Sequence, residues 1–214
     1  QIRYLDVQAE MGVTYNVVWG LFIDRAWPVP FTNIIDAKRE AHLRAFVDAA
    51  HERGLKILHG TGIYSWGVDA IIRAHEEVAR GNSHNMCPFS PQAWDWQRRV
   101  LDLLMEPRWG LDGISMQSAD QGRCSCAQCN ARSAAEHHAD ILVRCAEYVR
   151  AGRPDWTIGQ ASWGLAVDDP ADFAHVHRIS QAVDYMVEVR ERSAEAGRRA
   201  EIVANLACAY GSVG

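Results

Sequence analysis

Three thiols are crowded into six residues at Cys124-Ser-Cys126-Ala-Gln-Cys129, and the carboxylate of Asp120 stands four residues ahead of them. Thiolates at C-x-C-x-x-C spacing can converge on one ion, and Zn²⁺ takes four ligands in a tetrahedron. Cys87, just ahead of Pro88, is the candidate fourth ligand, with His84 in reserve. The same thiols could pair as a disulfide or stay unbonded, and spacing alone leaves all three outcomes open. Cys145 and Cys208 fall in predicted helix and strand and read as small core residues. Asp120 and Glu188 are the carboxylates placed to give or take a proton, with Glu191 a further candidate. Each has a structural alternative: Asp120 can brace the cysteine loop, and Glu188 can pair with Arg190, two residues on.

Rings are the second chemical signal. The chain has 8 Trp in 214 residues, and Trp19, Tyr64, Trp66, Trp163 and Tyr210 all fall at or near the ends of predicted strands. Sugars present apolar C–H faces that stack on such rings, whereas any one ring could equally be core. His59, Tyr64, Trp66, Trp163 and Tyr210 form the candidate substrate-binding set, although a lone histidine inside a strand is often a core residue. His137 and His138 are adjacent on a helix and point to different faces, so they make a poor metal pair.

The elements that must position these groups alternate regularly. A helix over 2–11 is followed by apolar, β-branched runs at 15–22, 55–63, 112–118, 156–162, 185–189 and 202–209, which read as buried strands. Between them lie helical segments. Asp36 is a candidate N-cap for a helix over 37–53 that turns Ala41, Phe46, Val47 and Ala50 inward. Helices follow at 67–80, from Ser90-Pro91 to about 106 (burying Trp94, Val100, Leu101 and Leu104), at 131–151, and from Asp169-Pro170 with Phe173, Val176 and Ile179 inward. A short helix near 194–200 precedes the last strand.

Parallel strands need such crossovers, so the alternation predicts an α/β fold. An open doubly wound sheet would carry a glycine-rich phosphate turn, and His59-Gly60-Thr61-Gly62 is only a weak echo of one. Polar and aromatic residues instead collect at strand C-termini, as on the active face of a (β/α)8 TIM-type barrel. Six predicted strands are fewer than eight. The expectation is therefore one incomplete barrel domain over 1–214, holding strands 2 to 7 and truncated at both ends.

Composition is that of an ordinary globular chain: 48% apolar, 23% charged, net charge -5. No basic run marks a nucleic-acid footprint, and no stretch nears the ~20 apolar residues that span a bilayer. Opening on Gln1 is expected of a processed or trimmed chain or of a fragment, so the lack of a leader says nothing of compartment.

The string Ser118-Ala-Asp120-Gln-Gly-Arg-Cys124-Ser-Cys126-Ala-Gln-Cys129, the long helix after it and the Arg153-Pro154-Asp155 turn resemble a family of bacterial carbohydrate-active barrels. These proteins are related to α-glucuronidases and to some barrels that cleave N-acetylglucosamine-containing glycans, and Cys87-Pro88 resembles their upstream cysteine. The likeness covers about 55–164 and implies a secreted or periplasmic glycosidase acting on a uronic-acid or N-acetylhexosamine glycan. Such an enzyme needs a proton donor and a second carboxylate, or a substrate acetamido group in the latter's place. The competing expectation is a non-catalytic carbohydrate-binding barrel. A metal-dependent hydrolase is disfavoured because no H-x-H pair stands at a predicted strand end, and thiolate-rich sites are typically structural. No catalytic cofactor is expected.

Overall fold

The computed structural model describes residues 2–19, 37–65, 68–82, 84–118, 122–162, 169–188 and 210–211. Helix α1 (Ile2–Glu10) leads into β1 (Tyr15–Trp19), and α2 (Ala37–His51) leads into β2 (Lys56–Gly62). A short α3 (Asp69–Ala74), a 3₁₀ turn and α4 (Pro91–Leu104) precede β3 (Gly113–Ser118). One turn of helix, α5 (Ala127–Asn130), and the long α6 (Ala134–Gly152) come before β4 (Thr157–Ser162). Helix α7 (Phe173–Ala182), β5 (Tyr185–Glu188) and β6 (Tyr210–Gly211) complete the order.

The six strands form one sheet, ordered β5-β4-β3-β2-β1-β6 and parallel at every pairing. Strands consecutive in sequence from β1 to β5 are neighbours in space, which is the barrel-like winding that the alternation predicts. Strand β6 pairs not with β5 but with β1, through Val17↔Tyr210 and Val18↔Gly211. The last strand of a closed barrel sits beside its first in this way. The expected strand over 202–209 and helix over 194–200 lie outside the described residues, as does Asp36.

Local chemistry explains the helix starts. Ser90 caps α4, its hydroxyl accepting from the Ala93 N–H at 3.4 Å, with Pro91 at the first helical position. Ser133 caps α6 by accepting from the Glu136 N–H at 3.0 Å, so that helix begins at Ala134 rather than 131. The expected helix over 67–80 is broken after Ala74. The Val78 carbonyl accepts from the Cys87 N–H at 2.7 Å and the Glu77 carbonyl from the Ser90 hydroxyl, and both bonds turn the chain toward the next loop. In α2 the buried stripe is Leu43, Val47 and Ala50; Ala41 is exposed. At α7 Asp169 makes a turn with Ala171 instead of a cap, the helix starts at Phe173, and that ring is 51% exposed. Trp94 is half-buried, edge-on to Tyr148.

Both sheet faces are covered to different degrees. Val18, Ile57, Ile114, Met116, Ile158 and Met186 share one core with the helices. Alternation along each strand puts Trp19, Gly60, Ser115, Gly159 and Tyr185, a single register row, on the opposite face. Glycine is required there by contact: a Cβ at Gly60 would strike the Trp19 ring, and one at Gly159 the Tyr185 ring. Among the described residues no helix is long and apolar enough to cross a membrane.

Gly113, where β3 crowds β2 and β4, tests this packing. A Cβ there would collide with the Thr157 carbonyl and the Leu58 side chain. Gly113→Ala is expected to destabilise by about 1–3 kcal/mol, as overpacking does. Urea unfolding measures it, and an unchanged midpoint would show that the strands are not this close.

Candidate metal centre at the strand ends

Two loops at the C-terminal edge of the sheet build the site. One runs from the 3₁₀ turn (Glu76–Val78) to α4, the other from β3 to α6. Their parent strands are register neighbours, Gly62 opposite Gln117, so the loops must leave the sheet side by side.

Polar bonds fasten them together. Ser125 Oγ donates to the Gly81 carbonyl at 2.7 Å, and Asn82 Nδ2 to the Arg123 carbonyl at 2.9 Å. Asn82 Oδ1 in turn accepts the backbone N–H groups of His84 and Asn85, both at 2.9 Å. Gly81 has to be glycine, because a Cβ would press on the backbone of Ser125 and Cys126. Arg123 Nη1 donates to the carbonyls of Cys129, Arg132 and Ser133, closing the C-terminal end of α5 with a cation.

Within this frame the thiols of Cys87, Cys124, Cys126 and Cys129 converge, all four sulfurs within 4.8 Å of one another. Cys87 Sγ lies 3.8 Å from Cys126 Sγ and 3.9 Å from Cys129 Sγ. A tetrahedral ion with metal–sulfur bonds near 2.3 Å puts its sulfurs about 3.8 Å apart. None of the four is in a disulfide. The cluster could hold a metal ion, and the Cys87 assignment from sequence meets its partners here. The reserve ligand His84 is exposed and outside the group. Cys145 is buried in the main core on α6, as expected, and Cys208 lies outside the described residues.

The sulfurs are electrostatically coupled. Burial raises Cys87 to about 11, against the Phe89 N–H, with the Cys124 thiol adding to the rise. Burial also pushes Cys129 far up. At Cys126 burial opposes ionisation, but the Cys129 N–H and the thiols of Cys129, Cys124 and Cys87 outweigh it and bring the pKa to about 7.

The other sequence candidates are placed less compactly. His59 is 2% exposed on the helix-packed face, in register with Val18 and Ile114, and burial holds its pKa near 3, so the ring is neutral. Tyr64 turns into the helix layer: its φ is 57°, its N–H donates to Gln97 Oε1 at 2.9 Å, and its carbonyl accepts from Met86. The structure thus parts these two from Trp19 and Tyr185 on the other face. Glu188 ends β5 in register with Ser162, and Tyr210 begins β6 in register with Val17. Asp120, Trp66, Trp163, Arg190 and Glu191 lie outside the described residues, Asp120 between β3 and the cysteine loop. His137 and His138 are both buried, and His138 Nε2 faces Gln160 Nε2 at 3.2 Å, so they do different things, as their adjacency predicts.

Gly60 and Gly62 are residues of β2, in keeping with the strand predicted over 55–63 and with the weakness of the phosphate-turn echo there. One feature had no sequence signal of its own. Tyr185, lying over Gly159, was readable only as part of an apolar run.

No protein-family model matches this chain, and no curated protein matches it in sequence. Solved structures do. An α-amylase from Anoxybacillus superposes with a TM-score of 0.60 at 14% identity, over 87% of this chain and 43% of that one. A β-N-acetylhexosaminidase from Bacteroides fragilis gives 0.56 at 11%, over 86% and 46%. A β-galactosidase from the psychrophilic Marinomonas ef1 gives 0.60 at 11%, over 88% and 38%. These neighbours are TIM-barrel glycoside hydrolases. At such identities the likeness is one of fold, and the chain spans less than half the length of each.

Exposure and pKa single out one thiol of the four. Cys126 is half-exposed, whereas Cys87, Cys124 and Cys129 are 0% exposed. Iodoacetamide applied to the metal-free protein at pH 7.5 is expected to modify Cys126 first, read by peptide mass spectrometry. Equal labelling of all four would show that the loops do not enclose the sulfurs.

Proposed function

We propose that this chain forms most of the catalytic barrel of a glycoside hydrolase acting on a glycan that contains a uronic acid or an N-acetylhexosamine. One observation carries the reading. Five parallel strands in sequential order, in the fold of glycoside hydrolases, end at one common C-terminal edge, where barrel enzymes keep their chemistry, and Asp120 follows β3 by two residues in sequence. The β1–β6 pairing supports closure of the sheet into that barrel.

Asp120 serves as the general acid/base, following β3 directly. Glu188 shares a register row with Ser118 and Ser162, two strands across, on the order of 10 Å between backbones. Glu188 would supply the second carboxylate that such chemistry needs. On an N-acetylhexosaminide the substrate's acetamido oxygen can take the nucleophile's part, leaving the protein carboxylate to orient it. Trp19, partly buried against Gly60 at the end of β1, offers a ring near the strand ends, and Trp66, Trp163 and Tyr210 are assigned the same stacking role. His59 and Tyr64 act behind the sheet, bracing it.

Cys87, Cys124, Cys126 and Cys129 would hold Zn²⁺. Four thiolates leave no open coordination position, so the ion would be structural and would clamp the two loops to each other.

Hydrolysis of aryl β-N-acetylhexosaminides and aryl α-glucuronides tests the activity. Asp120→Asn is expected to lower kcat by about 10²–10⁴-fold, the usual contribution of general acid–base catalysis, with Glu188→Gln also strongly impaired. Turnover unaffected by Asp120→Asn would remove that residue from the chemistry, and saturable glycan binding without cleavage would favour the carbohydrate-binding reading. For the metal, a strong chelator is expected to lower Tm by several degrees, with one zinc per chain by elemental analysis. A chain without zinc whose melting curve ignores chelator would end the zinc assignment.

A further inference from the structure

Behind the cysteine loops, on the helix side of the sheet, a pocket of about 290 Å³ opens between α6 and the 88–89 segment. We propose that it binds a small organic carboxylate with a compact ring body. The pocket is made by one face of α6: His137, Asp140, Ile141 and Arg144 recur at helical spacing. Pro88 and Phe89 form the facing wall, and the Tyr64 hydroxyl reaches in from the end of β2.

One buried polar group there lacks a partner. His137 is 5% exposed, yet its Nε2 makes no hydrogen bond, while the Tyr64 side chain, 2% exposed, has the Arg144 guanidinium beside it. Native interiors rarely leave such a group unsatisfied, and an unbonded imidazole nitrogen on a cavity wall points to a molecule that satisfies it. Burial, with Arg123 and Arg132 adding, lowers His137 to about 4, so at neutral pH it is an uncharged imidazole.

The charges along the wall define the missing partner. Asp140 is shared by two guanidiniums, Arg132 and Arg178, the latter at 2.9 Å. Arg132 also stacks over the Phe89 ring, 4.9 Å from its centroid. Arg144 has no carboxylate partner among the described residues; its guanidinium lies over Trp94 at 4.0 Å and close to the Tyr64 phenol. The lining therefore carries Arg132 and Arg144 against Asp140, one positive charge in excess. A monoanion completes it, and a planar carboxylate matches the guanidinium fork. Pro88, Phe89 and Ile141 give the rest of the cavity an apolar wall, which favours a carbon ring over a fully polar anion. The volume is about ten times the ~30 Å³ that one water occupies, room for a six-membered ring with its acid group.

The probe is benzoate, titrated by calorimetry, with benzamide as the uncharged isostere and inorganic phosphate as the fully polar anion. Benzoate is expected to bind one per chain, at least ten-fold tighter than either control. Arg144→Gln, a change at an exposed position, is expected to weaken benzoate at least ten-fold while Tm holds, and Tyr64→Phe to weaken it several-fold by removing only the hydroxyl. Three results would each overturn the proposal: no saturable benzoate binding at tens of millimolar, equal affinity for benzoate and benzamide, or benzoate affinity untouched by Arg144→Gln in a folded protein.

Discussion

The parallel ladder is the constraint on which everything else rests. A strand that must pair in parallel with its successor cannot hairpin back; the chain has to return through a crossover, and each crossover here is helical where it is described. All strand C-termini consequently gather at one edge, and the segments after neighbouring strands become neighbours themselves. Cys87 and Cys126, 39 positions apart, meet for this reason alone: one follows β2, the other β3, and those strands are paired. The same geometry brings Phe89 over Arg132 and sets the 88–89 segment against α6.

Register at the opposite edge decides which side chains arrive on which face. A repeated device fixes it. Asp112, just before β3, accepts the Ile57 N–H at 2.8 Å, returns its own N–H to the Ile57 carbonyl at 2.9 Å, and holds His51 Nε2 at 2.8 Å. Asp184, just before β5, does the same to Ile158 at 2.8 and 2.7 Å, with Arg150 at 2.9 Å. In each case an acidic residue locks the start of one strand to its neighbour, while a base from the end of the helix that leads into that neighbour covers it. The exposed ion pairs contribute little by themselves. Their value is geometric, since a slip of one residue would exchange the two faces of the strand. Val18, Ile114 and Ile158 would then leave the helix core, and Trp19 would lose the glycine it lies on.

That dependence explains what could be read from the sequence. The alternation, the Ser90-Pro91 start and the convergence of Cys87 on the C-x-C-x-x-C loop were legible, because each rests on local spacing or on the rule that successive parallel strands are adjacent. Ser133-Ala-Ala-Glu136 was an equally local signal for the start of α6. The faces taken by His59 and Tyr64 were not legible. In a sheet buried on both sides hydrophobicity does not tell inside from outside, so a polar strand residue can be assigned to either. Tyr64 adds a positive φ just past the strand end, which redirects its ring into the helix layer. The break after Ala74 was hidden too, since the carbonyls that end it are claimed by Cys87 and Ser90 from the following loop. Nothing near Tyr210 signals that β6 returns to β1, because that pairing joins the far ends of the chain.

The cysteine loops show how far hydrogen bonding to backbone carbonyls can build such a centre. Arg123, Asn82, Ser125 and Asn130 satisfy the loop carbonyls before any charge is placed on sulfur. The four thiols then sit close enough that ionising one opposes the others: Cys126 moves down while Cys87 and Cys129 move up. A dication at the centre would reverse this balance, stabilising every thiolate and releasing the protons that burial otherwise retains. Folding and metal binding would then be coupled at this point but not equivalent. The backbone bonds set the sulfur positions near tetrahedral spacing, so an ion entering them does little reorganisation. Its effect would fall on the two loops, which it would tie into a single unit at the C-terminal edge of β2 and β3.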